Sequence, residues 1–352
     1  VTARRDHPPF AASAMDGYAV GDGDHTTWTV IGESAAGLGF AGPVAQGQAV
    51  RIFTGAPLPL GTTRVIIQED VTRTVDHIAL DTPNPDAQPY VRPAGADFAK
   101  GFTLTGPRDL RPQDIALLAA MGVDQVPVIR RPVVAIIGTG DELVQPGETP
   151  GPDQIYASNT YGIAALVTRL GAQARLLPVA RDELAALKQC FTLAQGADLI
   201  VTIGGASVGD HDLVAQAAQD MGLEQQFYKI AMRPGKPLMA GRMGPAVLVG
   251  LPGNPVSAMV CGHVFLAPMI RHMLGHPATA PEPLFAPLTT DLPANGPRAH
   301  YRRAILEKGH IMPIPRQDSA LLTILTQANT LLIQPAHSPE LPKGTVVPYL
   351  WL

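Results

Sequence analysis

The sequence has little cysteine, few aromatic residues and no excess of basic charge. Only 2 of its 352 residues are cysteine, and 5% are aromatic. Cys190 and Cys261 stand alone, without the spacing of a zinc site or a disulfide framework. The formal net charge of −4 gives no basic field for binding nucleic acid. No run approaches about 18 uncharged apolar residues, so the sequence predicts no membrane span and no membrane partner.

The composition that remains is typical of a well-buried globular protein. Hydrophobic residues make up 46% of the chain and charged residues 16%. The length exceeds one ordinary domain, so we expect two to four structural units. The scarcity of cysteine fits a cytoplasmic location. Because the chain opens on Val1 without an initiator methionine or a signal peptide, we expect further residues upstream of it.

The N-terminal third predicts a small β-rich region. Short β-branched or alternating runs occur between residues 27 and 92, separated by glycine and proline. The predicted strands there are 28–31, 49–53, 64–67 and 77–80. Pro112 to Gly122 predicts a short helix, with proline near its start and glycine as its stop.

From Val133 the pattern changes to alternating strands and helices, which predicts a doubly wound sheet with right-handed crossovers. The predicted strands are 133–137, 174–179, 198–203, 227–231 and 246–250. The predicted helices run from a cap at Ser158 or Asn159 to Gly171, from a cap at Asp182 to about Gly196, from Leu213 to Gly222, and from Pro255 to Gly275 with a kink at Pro268. Residues 276–297 are linker-like, and the last 55 or so residues predict a small β-barrel or sandwich.

Residues 202–212 carry the most specific functional signal. The buried strand ending at Ile203 breaks into Gly204 and Gly205, followed by Ser207, Asp210 and Asp212. Glycines at the carboxyl end of a parallel strand let backbone N–H groups approach a phosphate. Two carboxylates beside a phosphate would repel it unless a divalent cation lies between them. The alternative is an ordinary tight βα turn.

Five polar turns follow predicted parallel strands, so they should share one edge of the sheet. They are 138–142, 181–182, 204–212, 233–237 and 252–257. Arg233 and Lys236 project from a turn that proline and glycine make rigid, which favours an anionic substrate over a merely solvated basic turn. Pro252 to Ser257 leads into a helix N-terminus, which attracts anions. His272 and His276 lack a zinc motif, and Ser207 lacks a triad partner, so we expect neither a zinc site nor a serine nucleophile.

Eight motifs in order closely resemble the molybdopterin molybdotransferases, the MoeA family that includes the gephyrin E domain. The resemblance runs from Val1 to the C-terminus. The motifs are 13–20 (SAMDGYAV), 53–59 (FTGAPLP), 68–69 (QE), 95–97 (GAD), 139–143 (TGDEL), 204–209 (GGASVG), 234–237 (PGKP) and 250–257 (GLPGNPVS). Family members carry further helical residues ahead of the position of Val1, so this chain resembles an N-terminally truncated member.

The resemblance implies a multidomain α/β protein in four parts. A doubly wound α/β domain of the molybdopterin-binding type (131–276) would be flanked by a β-rich region (27–97) and a small C-terminal β-barrel domain (277–352). Residues 1–26 and 98–130 would form the remnant of a mixed linker domain. It also implies a homodimer that inserts molybdate into adenylylated molybdopterin with release of AMP, using Mg²⁺. The enzyme that adenylylates molybdopterin is a possible protein partner.

The resemblance also implies roles for individual residues. The catalytic residues would be Asp16, Glu142, Asp182, Ser207 and Asp212, with Asp182 and Asp212 at the metal. Substrate binding would involve Thr54, Arg92, Asp97, Gly204, Gly205, Asp210, Arg233, Lys236, Pro252, Asn254, Pro255 and Ser257. Molybdate would be bound by Lys236, Pro237, Arg298 and Ser319. The alternatives are that Asp16 is a turn residue before Gly17 and that Ser319 caps the segment after it.

The chain departs from the family pattern at three positions. Arg233 stands where many members have lysine, and Leu213 stands where an aromatic residue often follows Asp212. The segment that begins at Arg298 matches the family's Arg-Pro-Glu motif only in part, so Arg302 and Arg303 are alternatives to Arg298 as the molybdate-binding arginine. Two other functions stay open, a molybdopterin adenylyltransferase and a non-enzymatic scaffold. The adenylyltransferases usually have Gly-Gly-Thr-Gly in a chain about half as long.

Overall fold

The computed structural model describes residues 1–82, 88–205 and 213–352. These divide into two compact units, Val1–Val128 and Ile129–Leu352. Each unit has its own hydrophobic core.

The first unit contains a six-stranded sheet, which confirms the predicted strands to within a few residues. In spatial order its strands are Arg64–Ile67, Gly17–Val20, Gln48–Ile52, Thr27–Ser34, His77–Leu80 and Val71–Thr74. Ala12–Ser13 and Val91–Arg92 form a separate antiparallel pair. Tyr18, Trp28, Ile66 and Ile78 fill the core. Strand Gly17–Val20 has a paired strand on each side and is therefore an interior strand of this sheet, although it lies outside the predicted β-rich region 27–97.

The predicted helix in this unit spans Pro112–Ala120. Pro112 occupies its first turn, where a missing N–H costs nothing. Gly122 follows it with a φ of +76°, a conformation that ends a helix and favours glycine. Both boundary predictions are confirmed.

The second unit contains the predicted doubly wound sheet. In spatial order its strands are Gln173–Leu176, Val133–Gly138, Leu199–Ile203, Ala246–Leu251, Met239–Met243 and Leu223–Tyr228. The first four are parallel, and Met239–Met243 is antiparallel to both of its neighbours. The sequence did not predict strand Met239–Met243, because Gly241 and Arg242 interrupt its apolar pattern. The predicted strand 227–231 begins four residues later than the observed strand Leu223–Tyr228.

Helices cover both faces of this sheet. Val134 and Ile136 point to one face, toward helices Ser158–Arg169 and Pro255–Cys261. Ala135 and Ile137 point to the other face, toward Leu184–Leu193 and Leu213–Asp220. Because successive strand residues face opposite sides, this two-sided burial explains why the strand is apolar throughout.

Both predicted helix caps in this unit are wrong. Helix Ser158–Arg169 starts after Ala157, and helix Leu184–Leu193 starts after Glu183, neither with a side-chain cap. The Asn159 amide instead donates to the Gly253 carbonyl at 2.6 Å. Asp182 lies one residue too early to cap the helix.

The last long helix is interrupted where the sequence predicts a kink. Pro255–Cys261 and Ala267–Met273 are α-helical, and Gly262–Leu266 between them is a π-helical turn. Pro268 follows this turn and has no N–H to close the regular ladder. By length and composition Pro255–Met273 is the single described helix apolar enough to cross a membrane, but half of it is buried inside the protein.

The C-terminal residues form a second sheet around a small core. Its strands are Met232–Arg233, Ala299–Glu307, Thr330–Gln334, Val346–Trp351 and Leu284–Pro287, with His310–Pro313 paired to Ala299–Glu307. The first strand comes from the α/β part of the chain and pairs in parallel with Ala299 and His300. This pairing brings the Arg233 turn against the C-terminal domain.

Candidate functional site

The carboxyl ends of two neighbouring strands bring Glu142 and Asp182 together. The Gly140 N–H donates to the Ala180 carbonyl at 3.1 Å, and the Asp182 N–H donates to the Asp141 carboxylate at 3.3 Å. Gly140 has a φ of +141°, a backbone conformation that residues with a side chain rarely adopt. Glycine therefore permits the backbone bend at this acidic corner.

Burial raises the pKa of Asp182, and the charges of Asp141 and Glu142 raise it further. Carboxylates that repel one another in this way are the oxygen donors that Mg²⁺ prefers. Within the described residues, however, no three His, Cys, Asp or Glu side chains are close enough to hold a metal ion. The predicted second ligand, Asp212, lies outside the described residues, as do Ser207 and Asp210.

Gly204 and Gly205 form the tight turn that the sequence predicts at the end of strand Leu199–Ile203. Their φ angles are +99° and +66°, and a Cβ at Gly204 would lie 2.6 Å from the Thr139 carbonyl oxygen. A Cβ at Gly205 would lie 2.3 Å from the Val214 side chain. Packing alone therefore requires both glycines, and their role toward a phosphate stays a prediction.

The turn from Pro252 to Ser257 contacts the C-terminal domain. The Asn254 amide donates to the Ser319 hydroxyl at 3.2 Å, and the Val256 N–H donates to the Ser319 carbonyl at 3.0 Å. Pro255 opens the helix, while Pro252 and Ser257 are buried. Ser319 is thus held at a helix N-terminus by another segment of the chain.

The alternative that Ser319 caps the following helix is wrong. Helix Leu322–Leu325 starts after Leu321 and has no side-chain cap. The Ser319 hydroxyl faces Asn254 instead.

The cationic turn from Arg233 to Pro237 is rigid, as the sequence predicts. The Ile230 N–H donates to the Lys236 carbonyl at 3.0 Å and closes the turn. Gly235 has a φ of +108°, and a Cβ there would lie 2.5 Å from the Cys261 sulfur. In the part of the chain that the structure describes, Arg233 and Lys236 are exposed and have no ion-pair partner.

Arg303, beside this turn, is fully buried with an incomplete set of partners. Its Nη2 donates to the Asp318 carbonyl at 3.1 Å. Its Nε and Nη1 atoms are buried and find no acceptor among the described residues. Burial first, and then the charge of Arg233, lower the pKa of Arg303 to about 10. A buried guanidinium with two unpaired nitrogen donors, Nε and Nη1, is a donor set that an oxyanion would satisfy.

Arg298 and Arg302 complete a cluster with Arg233 and Arg303. Arg298 is half-buried, and its carbonyl accepts from Asn295 at 2.8 Å. Arg302 donates through Nε to Gln334 at 2.9 Å, and burial followed by the charge of Arg233 lowers its pKa. The sequence comparison assigned molybdate binding to Arg298. Among the described residues, however, Arg303 is the one arginine of this segment that is fully buried and has two donor atoms without an acceptor.

His300 is a member of this cluster that the sequence reading missed. It is 1% exposed, and neither ring nitrogen has a partner among the described residues. Burial first, and then the charges of the arginines, Arg302 foremost, lower its pKa to about 3. The signal that could have found it is the alternation of Arg298, His300 and Arg302 along one face of a strand.

We expect His300 to make the protein acid-sensitive. The unfolded chain binds a proton near pH 6.5 and the folded chain only near pH 3, so stability is lost as the pH falls through this window. Between pH 7 and pH 5 the loss from His300 alone is about 2 kcal/mol. Denaturant unfolding at both pH values should show that His300→Gln loses less stability than the wild type. The exposed His310→Gln is the control, and equal losses in all three proteins would contradict the expectation.

In the first unit, Asp16 and Thr54 form one hydrogen-bonded pair. The Thr54 N–H and hydroxyl donate to the same Asp16 carboxylate oxygen at 2.7 and 2.8 Å. The backbone hydrogen bond is the larger cause that lowers the pKa of Asp16. Gly17 after it is a strand residue whose Cβ would lie 2.0 Å from the Ile66 carbonyl oxygen, so packing explains the glycine.

Arg92 and Asp97 are exposed on this unit. Arg92 ends a short strand and pairs with Ala12. The Asp97 N–H donates to the His7 carbonyl, in a separate loop from the Asp16–Thr54 pair. Functional roles for these four residues stay predictions.

The fold and the second unit's site define a class of protein. A doubly wound domain with carboxylates and a glycine turn at one sheet edge, joined to a β domain that supplies arginines, is built to bind an anionic ligand. Three family models match successive parts of the chain: "MoeA N-terminal region (domain I and II)" over residues 1–122, "Probable molybdopterin binding domain" over 135–272, and "MoeA C-terminal region (domain IV)" over 286–352.

Relatives match over nearly the whole chain. The molybdopterin molybdenumtransferase of Haemophilus influenzae is 34% identical over 97% of this chain and 87% of its own. Molybdopterin molybdenumtransferase 2 of Mycobacterium tuberculosis is 36% identical over 96% and 87%. The crystal structure of the molybdopterin biosynthesis MoeA protein from Pyrococcus horikosii superposes with a TM-score of 0.84 at 30% identity, covering 99% of this chain and 91% of that one. The chain belongs to the MoeA family of molybdopterin molybdenumtransferases.

Proposed function

We propose that this chain inserts molybdate into adenylylated molybdopterin and releases AMP, the last step of molybdenum cofactor biosynthesis. The observation that carries the proposal is the pair of buried, unpaired donor atoms Nε and Nη1 of Arg303, beside the Arg233 turn and the Ser319 loop. Family membership supplies the identity of the anion, since the relatives are named molybdenumtransferases.

The cationic cluster is proposed to bind molybdate. A tetrahedral dianion needs several donors of different geometry. Arg303 offers a fixed fork, Lys236 and Arg233 offer exposed charge, and Ser319 offers a rotatable hydroxyl. Together they would position the oxyanion for transfer to the dithiolene sulfurs and neutralise it while it reacts. Pro237 and Arg298 would lie at the border of this site.

The acidic corner is proposed to hold Mg²⁺ at Asp182, with Asp212 as the second ligand. Burial first, and then repulsion from Asp141 and Glu142, raise the pKa of Asp182, and a bound cation would relieve that repulsion. A bound Mg²⁺ would neutralise the phosphates of the adenylylated substrate. Glu142 would then orient water or substrate around the cation, and the glycine turn would bind the phosphate through backbone N–H groups.

An activity assay tests the proposal against its two alternatives. We expect the chain to consume adenylylated molybdopterin and molybdate and to release AMP. Consumption of ATP and free molybdopterin would instead show an adenylyltransferase, and no turnover of either pair would favour a scaffold.

The assembly and location are further parts of the proposal. We propose a cytoplasmic homodimer in which the four N-terminal residues Asp16, Thr54, Arg92 and Asp97 contribute to a substrate site. The adenylyltransferase that supplies the substrate is the proposed protein partner. Light scattering of the purified protein tests the dimer, and a monomer at micromolar concentration would contradict it.

A further inference from the structure

A cavity of about 520 Å³ lies in the second unit, lined by none of the residues assigned above. The end of helix Ser158–Arg169, helix Ala267–Met273 with the π turn before it, the segment 276–282 and the last strand line it. Its volume is within the range of sites for small organic molecules.

Two unpaired guanidinium groups line this cavity, Arg169 and Arg271. Each lies in the last turn of its helix. Among the described residues neither has an ion-pair partner, and Glu282 is the single side-chain carboxylate in the lining. The two guanidinium groups outnumber the side-chain carboxylate, and their N–H groups can donate to an anion.

His263 lines the same cavity and lies in the π-helical turn Gly262–Leu266. Such turns are rare and occur frequently at functional sites, because they redirect a side chain at a cost to the helix. Burial first, and then the charge of Arg169, lower the pKa of His263 to about 4. The ring is therefore neutral near pH 7 and can donate or accept a hydrogen bond.

Two aromatic side chains, Tyr349 and Trp351, also line the cavity. Tyr349 and Trp351 meet edge to face, with ring centroids 5.7 Å apart at 88°. Tyr349 is buried, but Trp351 is 53% exposed, which is high for a large apolar ring. An aromatic ring beside two guanidinium groups offers both a stacking surface and an anion site.

We propose that this cavity binds a small aromatic anion, with its ring against Trp351 and its phosphate or carboxylate between Arg169 and Arg271. Nucleotides and aromatic carboxylates share this chemistry. The site is separate from the proposed molybdate and magnesium sites, so it would serve to modulate the protein and not to carry out the transfer.

Tryptophan fluorescence tests the proposal, since the chain has only two tryptophans and Trp28 is 3% exposed. Adding AMP to the whole protein is expected to change the emission saturably, and Trp351→Phe is expected to remove that change. Arg169→Gln and Arg271→Gln should each raise the half-saturating AMP concentration about tenfold or more. The control variant Arg242→Gln, at an exposed arginine, should leave the half-saturating AMP concentration unchanged. If AMP bound only at the proposed transfer site, Arg169→Gln and Arg271→Gln would leave that concentration unchanged too.

Three further probes separate the contributions. Adenosine lacks the anion and ribose 5-phosphate lacks the aromatic ring, so both should bind much more weakly than AMP. Saturable binding of benzoate without binding of AMP would also support an aromatic anion as the ligand, and would identify it as an aromatic carboxylate. The proposal is overturned if neither AMP nor benzoate gives a saturable change up to millimolar concentration, or if the arginine variants bind like the wild type.

Discussion

Lys236→Ala is expected to raise the molybdate concentration for half-maximal turnover by about 10- to 100-fold, the loss of one hydrogen bond to a charged group. Lys236 is exposed on a turn that backbone bonds and Gly235 already hold, so its side chain is not needed for folding. Affinity for adenylylated molybdopterin should stay close to that of the wild type. Titrating molybdate at saturating pterin substrate measures the change.

Two further variants sharpen this test. Lys343→Ala removes an exposed lysine from the same unit and should leave the molybdate titration unchanged. Ser319→Ala removes a neutral donor and should raise the half-saturating concentration by a smaller factor, about threefold. If Lys236→Ala behaved like Lys343→Ala, the cationic turn would not bind molybdate. If Ser319→Ala alone were silent, the Ser319–Asn254 contact would only join two segments of the chain.

The sequence predicted the fold wherever a pattern is local and repeated. Strand Val133–Gly138 is apolar throughout because it is buried on both faces, and the alternation of such strands with helices indicated a doubly wound sheet. Gly122, Gly204 and Gly235 predicted sharp turns, and the structure gives all three a positive φ, which glycine adopts more readily than other residues. Helix caps were less predictable. Ser158 and Asp182 both have side chains that can cap a helix, but each lies one residue away from the observed capping position.

The cationic cluster could be predicted only in part, because it depends on pairing distant in sequence. Met232–Arg233 pairs with Ala299–His300, more than 60 residues away, and nothing local in either segment signals the pairing. The sequence also could not rank Arg298, Arg302 and Arg303, which are equally charged. Burial and unpaired donors distinguish them, and both arise from the packing of the Gln317–Ser319 loop against Arg303.

Asp182→Asn is expected to lower turnover about 100-fold or more, while the half-saturating molybdate concentration changes little. Asp182 is the most perturbed carboxylate of the acidic corner, and its amide analogue cannot neutralise a cation. Mg²⁺ binding measured by calorimetry should weaken in parallel. In the wild type it should also weaken as the pH falls through the raised pKa of Asp182, because a protonated carboxyl binds Mg²⁺ poorly. The exposed Asp153→Asn is the matched control.

The effect of the same substitution on stability distinguishes a functional Asp182 from a structural one. Because folding raises the pKa of Asp182, the folded state disfavours its charged form, and this cost is present at neutral pH and disappears below the unfolded pKa. Asp182→Asn should therefore melt at a higher temperature than the wild type at pH 7 when Mg²⁺ is absent. A carboxylate kept for structure would give the opposite sign. Loss of turnover together with a lower melting temperature would contradict the role proposed here, since it would trace the defect to the fold and not to the cation.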